Sequence, residues 1–373
     1  MIYLDHHSAT RPCSSAIDRM TPYLQEHWAA SSAPHKMGQE VMAQLDARYQ
    51  SLYGFAGADP KESFVFTSCG AEAVNQVLWS VFLEKARKEG KTQFIASALE
   101  DAPTLQMMKR LEELGCTVKI APVGNDGRID AGKLKEMITK RTALISVSMA
   151  QGLTGVIQPY EEIVQIGKEC GVLVHLEATY AAGKIPLAFT EWGADYLTFS
   201  GDRIHALKSS GALFAKAGSP LAPLIVGGAE QGGMRGGAFD IPSFMALCAA
   251  AQQAELYLDA MSLEVARLRD RFEELAAPVA KALFQESLRL PNVSVLVFPK
   301  VHQEALLYLM NRKGLYASIG GPYAPHLSRL LETEGAVSFA LSRMTTEEEI
   351  VKAASILKEC AESLELVSGG LAP

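Results

Sequence analysis

The chain has 373 residues, 48% of them hydrophobic and 21% charged, enough apolar content for a full core and too much for disorder. A formal net charge of −7, with no basic stripe, argues against nucleic acid as the main partner. The apolar runs are of strand length and broken by charges, which excludes a membrane-spanning helix.

The opening MIYLDHHSAT lacks the basic and then apolar pattern of a secretion signal. Six cysteines (Cys13, Cys69, Cys116, Cys170, Cys248, Cys360) are scattered without CxxC or His-paired spacing, so they read as free thiols in a reducing cytoplasm and give no metal site. From about residue 60 to 216, apolar β-branched runs at 64–68, 94–97, 118–122, 144–148, 172–176, 196–200 and 212–214 alternate with helical patterns such as 71–89, 105–114 and 160–170. That alternation predicts an α/β fold, its mainly parallel sheet covered on both faces, with ligands at the carboxyl ends of the strands.

The pattern changes after the glycine-rich GGAEQGGMRGGAF of 227–239. A long helical region is predicted over 242–283, then a strand at 293–298, a helix at 303–311 and a strand at 337–341. Thr345 and Glu348 suit a capping box for the last helix. We read a large domain over 14–245 and a smaller α+β domain from 1–13 and 246–373.

SGDRIHALKSSGAL, residues 200–213, empties from the strand 196–200 into a polar turn, where α/β enzymes present reactive groups. Arg203 and Lys208 are its cationic candidates. Around it stand, in chain order, Leu4-Asp-His-His-Ser-Ala-Thr10, Phe66-Thr-Ser-Cys-Gly-Ala-Glu72 with Asn75, His175-Leu-Glu-Ala-Thr179, Gly183-Lys184, Phe199-Ser-Gly201, Gly211-Ala-Leu213, Gly233-Met-Arg235 and Arg343-Met-Thr-Thr-Glu-Glu-Glu349. This ordered set resembles the cysteine desulfurases of the class V aminotransferase family and covers essentially the whole chain. The resemblance implies the fold-type I pyridoxal phosphate architecture: a seven-stranded mixed sheet, a small C-terminal domain, and a homodimer with its sites at the subunit interface.

The resemblance also implies a site, and many of its positions have changed. The Schiff-base lysine falls at Arg203, whose guanidinium stays protonated and is no useful amine nucleophile. Lys208 matches a second, non-catalytic lysine and is the fallback amine. The ring-stacking imidazole falls at Asp101, the aspartate that pairs with the pyridine nitrogen at Glu177, the glutamine on the ring hydroxyl at Tyr180, and an asparagine at Gly152. Gly70 belongs to the same pocket, and the phosphate-cup hydroxyls fall at Ala71, Ser200 and, from the partner subunit, Ala238. The carboxylate-clamping arginine falls at Ser338. The loop that carries the persulfide cysteine falls at 318–324, and no cysteine lies between Cys248 and Cys360.

Losses confined to site positions, with the scaffold kept, suggest a fold retained without this chemistry. The first reading is therefore a non-catalytic homologue, a scaffold or regulatory partner in sulfur transfer or iron–sulfur assembly, paired with itself or with an active relative. The second is an active pyridoxal phosphate enzyme using Lys208 or another lysine. The third is a binder of another small anion, with Arg203 and Glu177 as anchors. Structural roles are expected for Arg203 (paired with Asp202, Glu177 or Glu100), for His6, His7 and His35, for His175 as a buried strand-end residue, and for the glycines of 227–237 as a turn-forming interface loop.

Overall fold

The computed structural model describes residues 1–321 and 327–369. Ile2–Tyr3 (β1) is followed by seven strands of one sheet: Ser63–Thr67 (β2), Gln93–Ser97 (β3), Thr117–Ala121 (β4), Thr142–Ser148 (β5), Leu173–Glu177 (β6), Tyr196–Ser200 (β7) and Gly211–Ala215 (β8). Their order across the sheet is β2-β8-β7-β6-β5-β3-β4, with only β8 running against the rest. Every residue of β3, β5 and β8 is buried, because helices cover both faces.

Side chains alternate between the faces. On one face Phe66, Ile145, Leu176 and Phe199 pack with the helices Lys36–Ala56, Tyr160–Cys170 and Ile241–Leu256. On the other, Val65, Phe94, Leu144 and Tyr196 meet Val77 and Met108 of the helices Gly70–Val81 and Ala102–Glu113. The helix expected over 71–89 runs without a break in sequence from Gly70 to Glu89 but widens to a π turn at Phe82–Ala86.

A second core surrounds a three-stranded antiparallel sheet in which Val293–Val297 (β10) lies between Lys281–Ala282 (β9) and Ala336–Ala340 (β12). Phe272, Phe298, Leu306, Phe339 and Leu357 fill it under the helices Ala266–Ala276, Gln303–Arg312 and Glu347–Gly369. The N-terminus joins this core: β1 pairs in parallel with Leu315–Tyr316 (β11), and Ile2 and Leu4 are buried there. No helix among the described residues is long and apolar enough to cross a membrane.

Three local expectations are corrected. The helical region expected over 242–283 pauses at Tyr257 and ends at Ala276; Pro278 cannot continue it, and β9 follows. The capping box is Thr346 with Glu349, which exchange backbone bonds of 3.0 and 3.2 Å. The Thr345 hydroxyl is taken instead by the Ser342 N–H at 3.0 Å, so the helix starts one residue later than predicted. His175 lies in the middle of β6, not at its end, and its ring nitrogens meet Ser146 Oγ at 2.9 Å and Thr198 Oγ1 at 2.8 Å.

The helix Ala266–Ala276 is tied to the chain entering β10 by a buried pair: Arg289 donates to both oxygens of Glu273, at 2.6 and 3.0 Å. Removing the arginine strands a buried carboxylate. Arg289→Leu is expected to lower unfolding stability in urea by about 3 kcal/mol, and adding Glu273→Leu to recover much of that loss.

Candidate functional site

Parallel strands deliver their carboxyl ends to one edge of a sheet. Here that edge gathers residues remote in sequence: Glu100 and Asp101 beyond β3, Gly152 beyond β5, Glu177 and Tyr180 at and beyond β6, and Ser200 to Arg203 at the end of β7. Gly70 and Ala71 open the helix after β2, close enough that a Cβ on Gly70 would sit 2.9 Å from Ser200 Cβ.

Glu100 and Glu177 are buried, and each is held by hydroxyls. Ser97 and Ser148 donate to the two oxygens of Glu100, both at 2.6 Å. Thr179 donates its hydroxyl and its N–H to Glu177 Oε1. Burial drives both carboxyls upward, to about 7 for Glu100 and about 8 for Glu177, with the negative charge of Asp101 adding to each. Asp101 is also raised by burial, and it accepts a 2.6 Å hydrogen bond from the Tyr180 hydroxyl.

Tyr180 is the centre of this arrangement. A Cβ placed on Gly152 would lie 2.3 Å from Tyr180 Cζ, so the phenol occupies the space a side chain at 152 would need. Gly152 is not in the left-handed region, so space and not backbone conformation calls for glycine there. On the other side the Arg203 guanidinium lies 6.0 Å from the Tyr180 ring centroid. Arg203 pairs with Asp202, whose other oxygen accepts the Ser200 hydroxyl at 2.6 Å. Of the three acids offered as partners for Arg203, the structure selects Asp202.

Other candidates stand apart. Lys208 is exposed, and among the described residues no hydrogen bond or ion pair joins it to Glu177, Asp101 or Tyr180. Ala238 is exposed beside Gly237, on a loop held by Gln231, which bonds both backbone groups of Phe66, and by Arg235, 3.0 Å from Glu72. Ser338 is buried in β12 and donates to Leu153 O at 2.6 Å. Ser318 exchanges backbone bonds with Ser338, whereas residues 322–324 of the 318–324 segment lie outside the described residues. His35 caps its helix by accepting from Gly38 N at 3.3 Å, and His7 Nε2 is 3.2 Å from Asp5.

Lys184 is a buried amine that the sequence pattern does not mark as one. Its Nζ donates to the carbonyls of Ala182 and Arg203, and burial, reinforced by the charges of Arg203 and Arg343, pushes it down to about 7. In the sequence it stands as the Gly183-Lys184 of the ordered motifs and as a lone cation in the apolar run AAGKIPLA.

The fold and this sheet edge define a pyridoxal phosphate-transferase architecture. The aminotransferase class-V family model matches residues 2–352, and the chain belongs to that family. Members of the family use pyridoxal phosphate. The chain is 32% identical to a cysteine desulfurase of Nostoc sp. strain PCC 7120, covering 99% of this chain and 94% of the relative. It is also 32% identical to the cysteine desulfurase NifS of Azotobacter vinelandii, over 94% and 90% of the two chains. A solved NifS-like protein superposes with a TM-score of 0.91 at 26% identity, covering 98% of this chain and 99% of the other.

Two predictions follow from the geometry. Gly152→Asn is expected to cost about 2 kcal/mol of unfolding stability by driving a side chain into Tyr180, and Tyr180→Gln in the same chain to recover most of it; additive losses in a urea-denaturation cycle would refute the pairing. The second concerns pH. Glu177 keeps its proton in the folded chain up to about 8, whereas an unfolded glutamate loses it near 4.5, so this group weakens folding as pH rises through that window. Glu177→Gln should therefore gain on the parent chain between pH 5 and 8.5, by about 2 °C or more in melting midpoint, and a difference independent of pH would refute it.

Proposed function

We propose that this chain is a cysteine desulfurase homologue without pyridoxal phosphate catalysis at the family position, acting as a scaffold or regulatory partner in sulfur transfer or iron–sulfur assembly. The observation that carries the reading is Tyr180, set against Gly152 and hydrogen-bonded to Asp101 beneath the Arg203 guanidinium.

The remaining donor set does not fit the cofactor. A guanidinium at 203 offers no amine for a Schiff base. The Ser200 hydroxyl, the one phosphate-cup hydroxyl left, is turned to the Asp202 carboxylate, whose charge opposes a phosphate. A carboxylate at 101 that accepts from Tyr180 gives no imidazole face to a ring. Ser338 and Leu153 satisfy each other where a substrate carboxylate would need a cation. Members of this family are typically dimers that pass sulfur to partner proteins. Trp28 and Met42, both exposed, share a cleft with Ala238, which supports a protein partner on that face, a second copy or an active relative. The proposed setting is the cytoplasm.

The test is to incubate the purified chain with pyridoxal phosphate, record the violet aldimine band, reduce with borohydride and map any modified lysine. No specific adduct and no sulfide release from cysteine are expected. Arg203→Lys alone is expected to leave cysteine turnover absent, because Tyr180 and Ser338 remain. A borohydride-trapped adduct on Lys184 or Lys208 together with sulfide release would overturn the reading.

A further inference from the structure

Beyond the Tyr180 side of Arg203, where the large-sheet core meets the second core, lies a cavity of about 20 Å³. That is room for one water-sized particle. Its wall includes His6, Lys184, Arg203, His205, Asn292 and Arg343, and among the described residues no carboxylate lines it. Of its three basic side chains other than histidine, Arg203 has Asp202 as a partner. Lys184 faces carbonyl oxygens and Arg343 lies 5.2 Å over the Tyr257 ring; among the described residues neither has an acidic group within ion-pair distance.

The same wall concentrates unsatisfied groups. Arg203 Nε and Arg343 Nη2 are buried donors without hydrogen-bond partners. Leaving buried N–H groups unpaired costs about 1–3 kcal/mol each, more when they are charged, so an occupant that accepts from them is favoured. His205 is held at a φ of 68°, with its N–H on Thr10 Oγ1 and its Nδ1 beside Arg11 O, both at 2.8 Å, which fixes its ring at this wall against backbone strain. Burial first, and the neighbouring positive charges second, lower all three groups: Lys184 with Arg203 and Arg343 beside it, His6 to about 4 with Lys184 beside it, and His205 to about 3 with Arg343 beside it.

We propose that this cavity binds a single halide-sized anion, chloride under ordinary conditions, accepting from Arg203 and Arg343 and balancing the charge of Lys184. The volume is too small for phosphate or sulfate, which separates this site from any phosphate cup. Because His6 comes from the N-terminal segment, Arg343 from the chain after β12, and Lys184 and Arg203 from the large-sheet region, an anion here would fasten the two cores to each other. Asn292 Oδ1, an unpartnered acceptor on the same wall, would instead suit a water, and the experiment separates the two occupants.

Melting midpoints of the full chain would be compared in sodium chloride and sodium gluconate at equal ionic strength, and crystals would be soaked in sodium bromide. The expected result is a saturable rise in midpoint with chloride alone, lost in Lys184→Met, and an anomalous bromide peak between Arg203 and Arg343. A water with no anomalous signal at that position would overturn the proposal even if Lys184→Met fails to fold. Equal midpoints in the two salts would overturn it as well.

Discussion

Carboxyl groups buried at the end of a parallel sheet are costly unless each finds a donor, and Glu100, Asp101 and Glu177 each find a hydroxyl. That constraint organises the whole edge. Ser97 and Ser148 are drawn to Glu100, Thr179 to Glu177, and Tyr180 to Asp101. Once the phenol reaches Asp101, its ring needs the room that Gly152 leaves, and the guanidinium of Arg203 settles against it while paired to Asp202. The result is a cluster of carboxyl groups, each given a donor from within the chain.

Arg203 connects this cluster to the seam between the two cores. Its terminal nitrogen serves Asp202, its carbonyl holds Lys184, and its Nε is left at a wall with Arg343. A lysine at the same position would keep the backbone carbonyl for Lys184 and could meet Asp202 as a point charge, but it has no Nε donor to present at that wall. The guanidinium at 203 thus ties the turn after β7 to Asp202 and to the Tyr180 ring.

Much of the architecture was legible because it rests on local periodicity. The seven apolar runs became the seven strands to within a residue or two, and the helix over Tyr160–Cys170 was read to the residue. The misses have particular causes. The end of the helix at Ala276 turned on Pro278, and the cap at Thr346 turned on Thr345 being claimed by Ser342. The burial of Lys184 was not legible because a lysine beside glycine in an apolar run has no local mark of it, and its neighbours Arg203 and Arg343 lie 19 and 159 positions away in the sequence. Each site substitution could be read singly, but not as a set of contacts.

Residue types alone therefore determined the fold class, the family resemblance, and the absence of an amine at 203 and of a cysteine between Cys248 and Cys360, since these depend on what each position can chemically offer. The tertiary structure decided what replaced the lost groups: that Asp202 and not Glu177 or Glu100 pairs with Arg203, that Tyr180 and Gly152 share one space, and that Lys184 lies buried among cations. Those outcomes depend on distances of a few ångströms between strand ends far apart in sequence, which sheet order and register set and no local pattern encodes.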